Sequence, residues 1–165
     1  MASNTQVAIA ALELAIQTER DGWRFYEEAA RRTRDPDGRR VFASLADDER
    51  HHERILQKQL EQLRQGRMPE PIKMGQAAAP IFPYERLADN VREHTTELSA
   101  LRTAYLIEQD AVVFYSRAAE RVDDPTVKEL LHTLADWERE HRRILGEAYR
   151  FLAAQFEQEM GFEPF

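Results

Sequence analysis

Residues 19–56, ERDGWRFYEEAARRTRDPDGRRVFASLADDERHHERIL, return 89 residues later as EQDAVVFYSRAAERVDDPTVKELLHTLADWEREHRRIL at residues 108–145. The two copies align without a gap and agree at 18 of 38 positions. Such agreement indicates one structural unit used twice. The positions that agree are the first candidates for a shared structural or chemical role.

Each copy carries an Asp-Pro pair between two stretches with apolar residues at helical spacing. Proline disfavours helix in the residue before it and suits the first position of a new helix, so each copy should be a helical hairpin. Asp35 is the expected N-cap of the second helix. We predict helix A from Asn4 or Thr5 to Arg34, helix B from Pro36 to just before Gly66, helix C over residues 96–122, and helix D over residues 125–159.

The connection between the hairpins, residues 66–95, is far longer than two antiparallel neighbours need. Its prolines indicate irregular structure, with a short helix predicted over residues 83–92. A connection of this length can run along a bundle to its opposite end. We therefore predict a single all-α domain over residues 1–165: a four-helix bundle of hairpin A/B (4–65), crossover (66–95), hairpin C/D (96–159) and a short C-terminal tail.

Composition narrows the classes of function. The chain has 165 residues, 32% of them charged, a mean hydropathy of −0.65 and a net charge of −7. Because the sequence shows no basic stripe, nucleic-acid binding is not expected. The absence of cysteine excludes disulfides, zinc ribbons and thiol catalysis. No apolar run is long enough for a membrane span or a leader, so we expect a cytoplasmic protein without membrane contact.

Simple helix geometry brings the two glutamates of each hairpin to the same level. Glu19 and Glu49 each lie 15 residues from Arg34 at the first turn, and Glu108 and Glu138 each lie 15 residues from position 123 at the second. At about 1.5 Å of rise per residue, every one of them is roughly 22 Å from its turn. Each hairpin should therefore hold its two glutamates side by side.

Two Glu-x-x-His motifs complete the constellation, since residues three apart share a helix face. They are Glu49…His52 and Glu138…His141. Four converging buried carboxylates repel one another strongly unless cations neutralise them. Two divalent cations would do so, and oxygen and nitrogen donors without sulfur favour iron or manganese, with zinc also able to bind. The predicted metal-binding and catalytic residues are Glu19, Glu49, His52, Glu108, Glu138 and His141.

The repeat also decides between two registers in helix B. Asp48 and His51 form a competing pair, but their counterparts are Trp137 and Glu140, which are not a matching set. We therefore interpret His51 as exposed or as a neighbour of a ligand. The same interpretation applies to His94 and His132.

Other matched or aromatic residues have open roles. Tyr26 and Tyr115 lie seven residues beyond a predicted ligand, on the same helix face, and could be core residues or donors to a ligand carboxylate. Asp47 and Asp136 could accept from a histidine or lie in surface ion pairs. Trp23 and Trp137 are predicted in the core, and Asp21 and Asp110 in solvent.

These residues resemble the rubrerythrin and ferritin-like di-iron proteins, specifically the rubrerythrin-type domain without a rubredoxin domain. The resemblance rests on the six predicted ligands and on the Phe-Tyr-x-x-Ala-Ala segments at 25–30 and 114–119. It covers residues 5–65 and 95–155. It implies a ferritin-like bundle with two iron ions, bridging roles for Glu49 and Glu138, terminal roles for Glu19 and Glu108, and one histidine on each iron.

The resemblance has one clear departure. Rubrerythrins commonly carry a further glutamate three residues after the helix C ligand, where this chain has Ala111, and the equivalent residue in helix A is Gly22. Two small residues could leave room for an oxidant or allow close helix packing. The missing glutamate places the peroxide-dependent ligand switch of rubrerythrins in question.

The resemblance implies an oxidoreductase that oxidises Fe(II) with peroxide or dioxygen, for peroxide reduction or ferroxidase activity. Without a cysteine-based electron-transfer domain, turnover requires an external electron donor. The alternatives are an iron-storage or metal-carrier subunit, and a structural bundle with a relict site. An apolar tail with Phe162 and Phe165 suggests a homodimer or a larger homo-oligomer.

Overall fold

The chain is an all-α bundle, as predicted. The computed structural model describes residues 4–34, 36–67 and 91–160, and within these ranges it contains four long helices and no strand. None of the described helices combines the length and apolarity that a membrane crossing requires. The helices are α1 (Asn4–Arg32), α2 (Pro36–Arg64), α3 (Val91–Arg121) and α4 (Pro125–Met160).

Local hydrogen bonds explain where the helices begin and end. The Asp124 carboxylate accepts from the backbone N–H groups of Thr126 and Val127, both at 3.0 Å, and so caps α4. Gly66 ends α2 with a φ of 68°, a left-handed conformation that glycine adopts without the steric cost other residues meet. Its amide bonds to the Leu63 carbonyl at 3.0 Å. Asp35, the predicted cap of α2, lies outside the described residues.

The two hairpins form the bundle. α1 packs along α2, α3 packs along α4, and the hairpins meet through α1 and α3. An ion pair of 2.7 Å between Arg64 and Glu13 places the end of α2 beside the beginning of α1. The sequence prediction of a ferritin-like four-helix bundle is confirmed.

One boundary prediction was wrong. α3 begins at Val91, five residues before the predicted start at position 96. Residues 91–95 contain neither proline nor glycine, and the low helix propensity of threonine is too small to end a helix. The last two residues of the predicted helix 83–92 therefore belong to α3, and the rest of that prediction lies outside the described residues.

The apolar core is divided into two clusters. One lies among the first halves of α1 and α4 and the second halves of α2 and α3, and the other lies towards the opposite end of the bundle. Buried glutamates and histidines occupy the middle of all four helices, in the layer between the clusters. The first cluster includes Leu12, Leu56, Leu60, Val122, Leu131 and Leu134; the second includes Phe42, Leu45, Leu101, Ile144, Leu145 and Leu152.

Candidate metal centre

All six predicted ligands are buried in the middle layer. Each of them is at most 4% exposed. α1 and α3 contribute one glutamate each, and α2 and α4 contribute one Glu-x-x-His pair each. The apolar clusters above and below this layer limit the access of water to it. The residues are Glu19, Glu49, His52, Glu108, Glu138 and His141.

The six side chains form two overlapping groups of four. Glu19, Glu49, His52 and Glu138 form one group, and Glu49, Glu108, Glu138 and His141 form the other. Within each group the potential ligand atoms all lie within 4.8 Å of one another. Glu49 and Glu138 belong to both groups, which is the placement needed for carboxylates shared by two cations.

Both histidines turn the same ring nitrogen towards the carboxylates. His52 Nδ1 lies 2.9 Å from Glu19 Oε2 and 3.5 Å from Glu138 Oε1. His141 Nδ1 lies 3.0 Å from Glu138 Oε2 and 3.5 Å from Glu49 Oε1. The two rings are nearly parallel, with an angle of 16° and centroids 5.9 Å apart. The half-sites are therefore related by an approximate two-fold axis.

The two repeat tyrosines connect the hairpins. The Tyr26 hydroxyl on α1 donates to Glu108 on α3, and the Tyr115 hydroxyl on α3 donates to Glu19 on α1. Both tyrosines have an exposed fraction of 0%. The two roles considered for these residues, core packing and donation to a carboxylate, therefore occur together.

Protons balance the charge of this layer. Burial, reinforced by neighbouring carboxylates, raises the pKa of Glu19 to about 8 and raises the pKa of Glu108 well above its usual value. Burial opposes the charge of His52 and His141, yet the surrounding carboxylates raise the pKa of both well above 6.5. The layer therefore takes up protons on two carboxyl groups and two imidazoles.

The remaining two carboxylates stay ionised. Burial alone would raise the pKa of Glu49 and Glu138, but contacts with the histidines, and with Glu19 in the case of Glu49, hold both below 4.5. The directions of these pKa shifts favour two negative carboxylates facing two positive imidazoles, an arrangement in which the charges balance. If two divalent cations replaced these protons, their four positive charges would balance the four carboxylates, and the imidazoles would be uncharged.

The donor set fits such a pair of cations. Both oxygens of Glu138 and Nδ1 of His141 are buried and form no hydrogen bond of suitable geometry with any described residue. Buried polar atoms of this kind are normally paired, so atoms left without a partner among other ligand-type atoms indicate a place for a bound ion. Carboxylate and imidazole donors without thiolate suit iron, manganese and zinc.

Several neighbouring residues take no direct part in the cluster. His51, His132, Asp47, Asp136, Asp21 and Asp110 are exposed, and Asp136 pairs with Arg139. The prediction of core positions for the tryptophans holds only in part: both are partly buried, and Trp23 packs against the second apolar cluster. The Arg50 guanidinium covers Trp23 at 4.4 Å, so the ring keeps a face towards a solvated cation.

Sequence reasoning missed two residues beside the histidines. Trp137 stacks on His52, with ring centroids 4.2 Å apart. Asp48 places Oδ2 3.6 Å from His141 Nε2. The two occupy equivalent positions in the repeat, and their difference in chemistry was the available signal.

Gly22 and Ala111, the two small residues singled out in the sequence, both lie near the cluster. A Cβ built at Gly22 would lie 3.4 Å from the carboxyl carbon of Glu49, so the side chain of that glutamate fills the space beside the glycine. Ala111 is buried, with an exposed fraction of 6%. An alanine at position 22 would therefore meet that carboxylate at an ordinary van der Waals distance.

Fold and site together define an all-α bundle with a buried carboxylate and histidine centre suited to two metal ions. Comparison with family models narrows this class: the Rubrerythrin family model matches residues 10–149, and the chain belongs to that family. Searches of curated proteins and of solved structures gave no match.

Proposed function

We propose that this protein is a di-iron oxidoreductase that oxidises Fe(II) with peroxide or dioxygen. The observation that carries the proposal is the pair of half-sites that share Glu49 and Glu138, each completed by one further glutamate and one histidine. Membership of the Rubrerythrin family supports the same chemistry. The two activities consistent with this centre are peroxide reduction and ferroxidase activity.

The roles of the residues follow from their positions. Glu49 and Glu138 would be shared by both irons, Glu19 with His52 would serve one, and Glu108 with His141 would serve the other. The bound iron pair would supply two electrons to the oxidant, one from each iron. Manganese or zinc could bind to the same ligands, but would supply this redox chemistry less well than iron.

Side chains around the six ligands would orient the carboxylates before a cation binds. The Tyr26 and Tyr115 hydroxyls hold Glu108 and Glu19, which fixes the direction of both carboxylates before an ion binds. The apolar clusters keep bulk water away from the layer. Binding of cations would expel the protons from Glu19, Glu108 and both histidines, because these groups bind metal only when deprotonated.

Turnover would require a reductant from outside this domain, since its residues include no cysteine to hold an iron–sulfur or rubredoxin-type centre. The presence of Ala111 in place of a further glutamate favours a site whose ligands stay in position during the reaction. An external electron donor, Fe(II), and peroxide or dioxygen are thus the proposed partners. The homo-oligomeric state and the cytoplasmic location stay predictions, and the tail with Phe162 and Phe165 lies outside the described residues.

An anaerobic titration with Fe(II) tests the proposal. We expect about two irons per chain, because the structure forms two half-sites, and oxidation to Fe(III) on addition of peroxide or dioxygen. The rates with the two oxidants would separate peroxide reduction from ferroxidase activity. Accumulation of many irons per chain would instead support the storage function.

The double variant Glu49→Ala with Glu138→Ala provides the comparison, because it removes both shared carboxylates. The control is Glu27→Ala with Glu53→Ala, which also removes two carboxylates, one from α1 and one from α2, both outside the layer. Loss of iron binding in the first variant alone would support the proposal. Equal iron content in both variants would show a structural bundle with a relict site.

A further inference from the structure

The two halves of the metal centre differ at one repeat position. Position 48 on α2 is aspartate, and its counterpart, position 137 on α4, is tryptophan. Each of these residues lies beside the histidine of the opposite hairpin: Asp48 beside His141 and Trp137 beside His52. The approximate two-fold symmetry of the six ligands therefore ends at the next layer of residues.

His141 has a carboxylate behind it. Its Nδ1 faces the glutamates, and its Nε2, on the other side of the ring, lies 3.6 Å from Asp48 Oδ2. That oxygen is buried and has no hydrogen-bond partner among the described residues. A small rotation of the Asp48 side chain would close the distance to a hydrogen bond of about 3 Å.

Among the described residues, His52 has no such acceptor. Its Nδ1 also faces the glutamates, but its Nε2 is buried without a hydrogen-bond partner in the described part of the chain. The indole of Trp137 packs against the ring at 4.2 Å and at an angle of 30°. An aromatic face fixes the plane of the imidazole but does not accept the N–H as a carboxylate does.

This difference affects metal binding. A histidine that binds a cation through one nitrogen usually donates its other N–H to a carboxylate or carbonyl, which orients the ring and makes it a better donor. Loss of such a partner commonly lowers metal affinity by about 10-fold to 100-fold. A half-site that lacks the partner should be weaker by a similar factor.

We propose that the two metal positions are unequal, and that Asp48 makes the position formed by Glu49, Glu108, Glu138 and His141 the one that fills first. Asp48 acts as a positioning residue through His141 and does not touch the metal. The position that contains His52 fills second. This inference rests on the proposed di-metal function and adds an order of loading to it.

A titration of the metal-free protein with Mn(II), followed by calorimetry and electron paramagnetic resonance, measures the two binding steps without any assay of activity. We expect two steps whose affinities differ by about 10-fold to 100-fold. His141→Ala should remove the tighter step, and His52→Ala should remove the weaker one. Removal of the tighter step by His52→Ala would overturn the assignment.

Asp48→Ala should weaken the tighter step by about 10-fold to 100-fold and bring the two steps together. Asp48→Asn, which keeps a carbonyl oxygen, should have a smaller effect. The matched control is Asp47→Ala, because it removes the same charge from the adjacent, exposed residue. Circular dichroism and melting of each variant confirm that the bundle is intact.

The outcomes are distinct. Equal changes in Asp48→Ala and Asp47→Ala would overturn the role of Asp48, since only the net charge would then matter. Two steps of equal affinity in the unchanged protein would overturn the inequality of the positions. No binding of Mn(II) or Fe(II) would contradict the proposed function itself.

Discussion

Glu19→Gln should remove a large part of the pH dependence of the metal-free protein's stability. The pKa of Glu19 rises from 4.5 to about 8 in the folded chain, chiefly through burial and secondly through the charge of Glu49. Glutamine imitates the protonated carboxyl group and cannot ionise. The variant should therefore behave like the unchanged protein near pH 5 and should be more stable than it at pH 8 and above.

The sign follows from proton binding. Between pH 4.5 and about 8 the folded chain holds a proton on Glu19 that the unfolded chain has lost. The stabilisation from this proton is complete below pH 4.5 and is lost as the pH rises through about 8. At about 1.4 kcal/mol for each pH unit, the whole window corresponds to an order of 5 kcal/mol, a large part of a typical unfolding free energy.

Urea unfolding in the presence of a chelator, repeated from pH 5 to pH 9, measures this effect. The difference in unfolding free energy between Glu19→Gln and the unchanged protein should grow in favour of the variant as the pH rises. Glu27→Gln, an exposed position on the same helix, is the matched control and should give a curve parallel to that of the unchanged protein. A parallel curve for Glu19→Gln as well would refute the reasoning.

Four further predictions concern the tyrosines, the helix cap, the glycine and the bound protons. Tyr26→Phe should lower the unfolding free energy by about 1–3 kcal/mol, because it leaves a buried carboxyl group without its donor; urea unfolding should show no such loss for Tyr105→Phe, whose hydroxyl has no partner among the described residues. Asp124→Ala should lower it by about 0.5–2 kcal/mol through loss of the α4 cap, and an unchanged melting temperature would count against the cap. Gly22→Ala should raise the stability of the metal-free protein by up to about 1 kcal/mol, since alanine favours helix and its Cβ meets only ordinary contacts; destabilisation would show that the close approach is tighter than 3.4 Å indicates. Binding of two Mn(II) ions near pH 6 should release about four protons, measured by calorimetry in buffers of different ionisation enthalpy, and release of none would contradict the raised pKa values.

Much of the fold was predictable because the sequence contains the same helical hairpin twice. The Asp-Pro pairs locate both hairpin turns, and the aspartate of the second pair, Asp124, caps α4. The start of α3 was not predictable to within five residues. Helix initiation without a proline or a strong cap depends on weak propensities, which the packing of the rest of the helix can override.

The metal centre, like the fold, was predictable from the sequence only in part. Comparison of the two repeats identified the six buried residues of the middle layer, because residues related by an approximate two-fold axis recur in both copies. The same criterion discarded Asp48, since position 137 does not match it. Residues that make two similar half-sites different are invisible to a search for agreement, and their contacts become evident only in three dimensions. Periodicity also could not show that Tyr26 reaches across to Glu108 on the other hairpin.

The presence of both hairpins in one chain has a consequence for how such a centre can diversify. Two separate, identical hairpins that associated as a pair would be bound by symmetry to present the same side chain at both equivalent places. Joining them in a single chain removes that obligation, because each half can then change alone. An aspartate at one place and a tryptophan at the other is an arrangement that a tandem chain can encode and a pair of identical hairpins cannot.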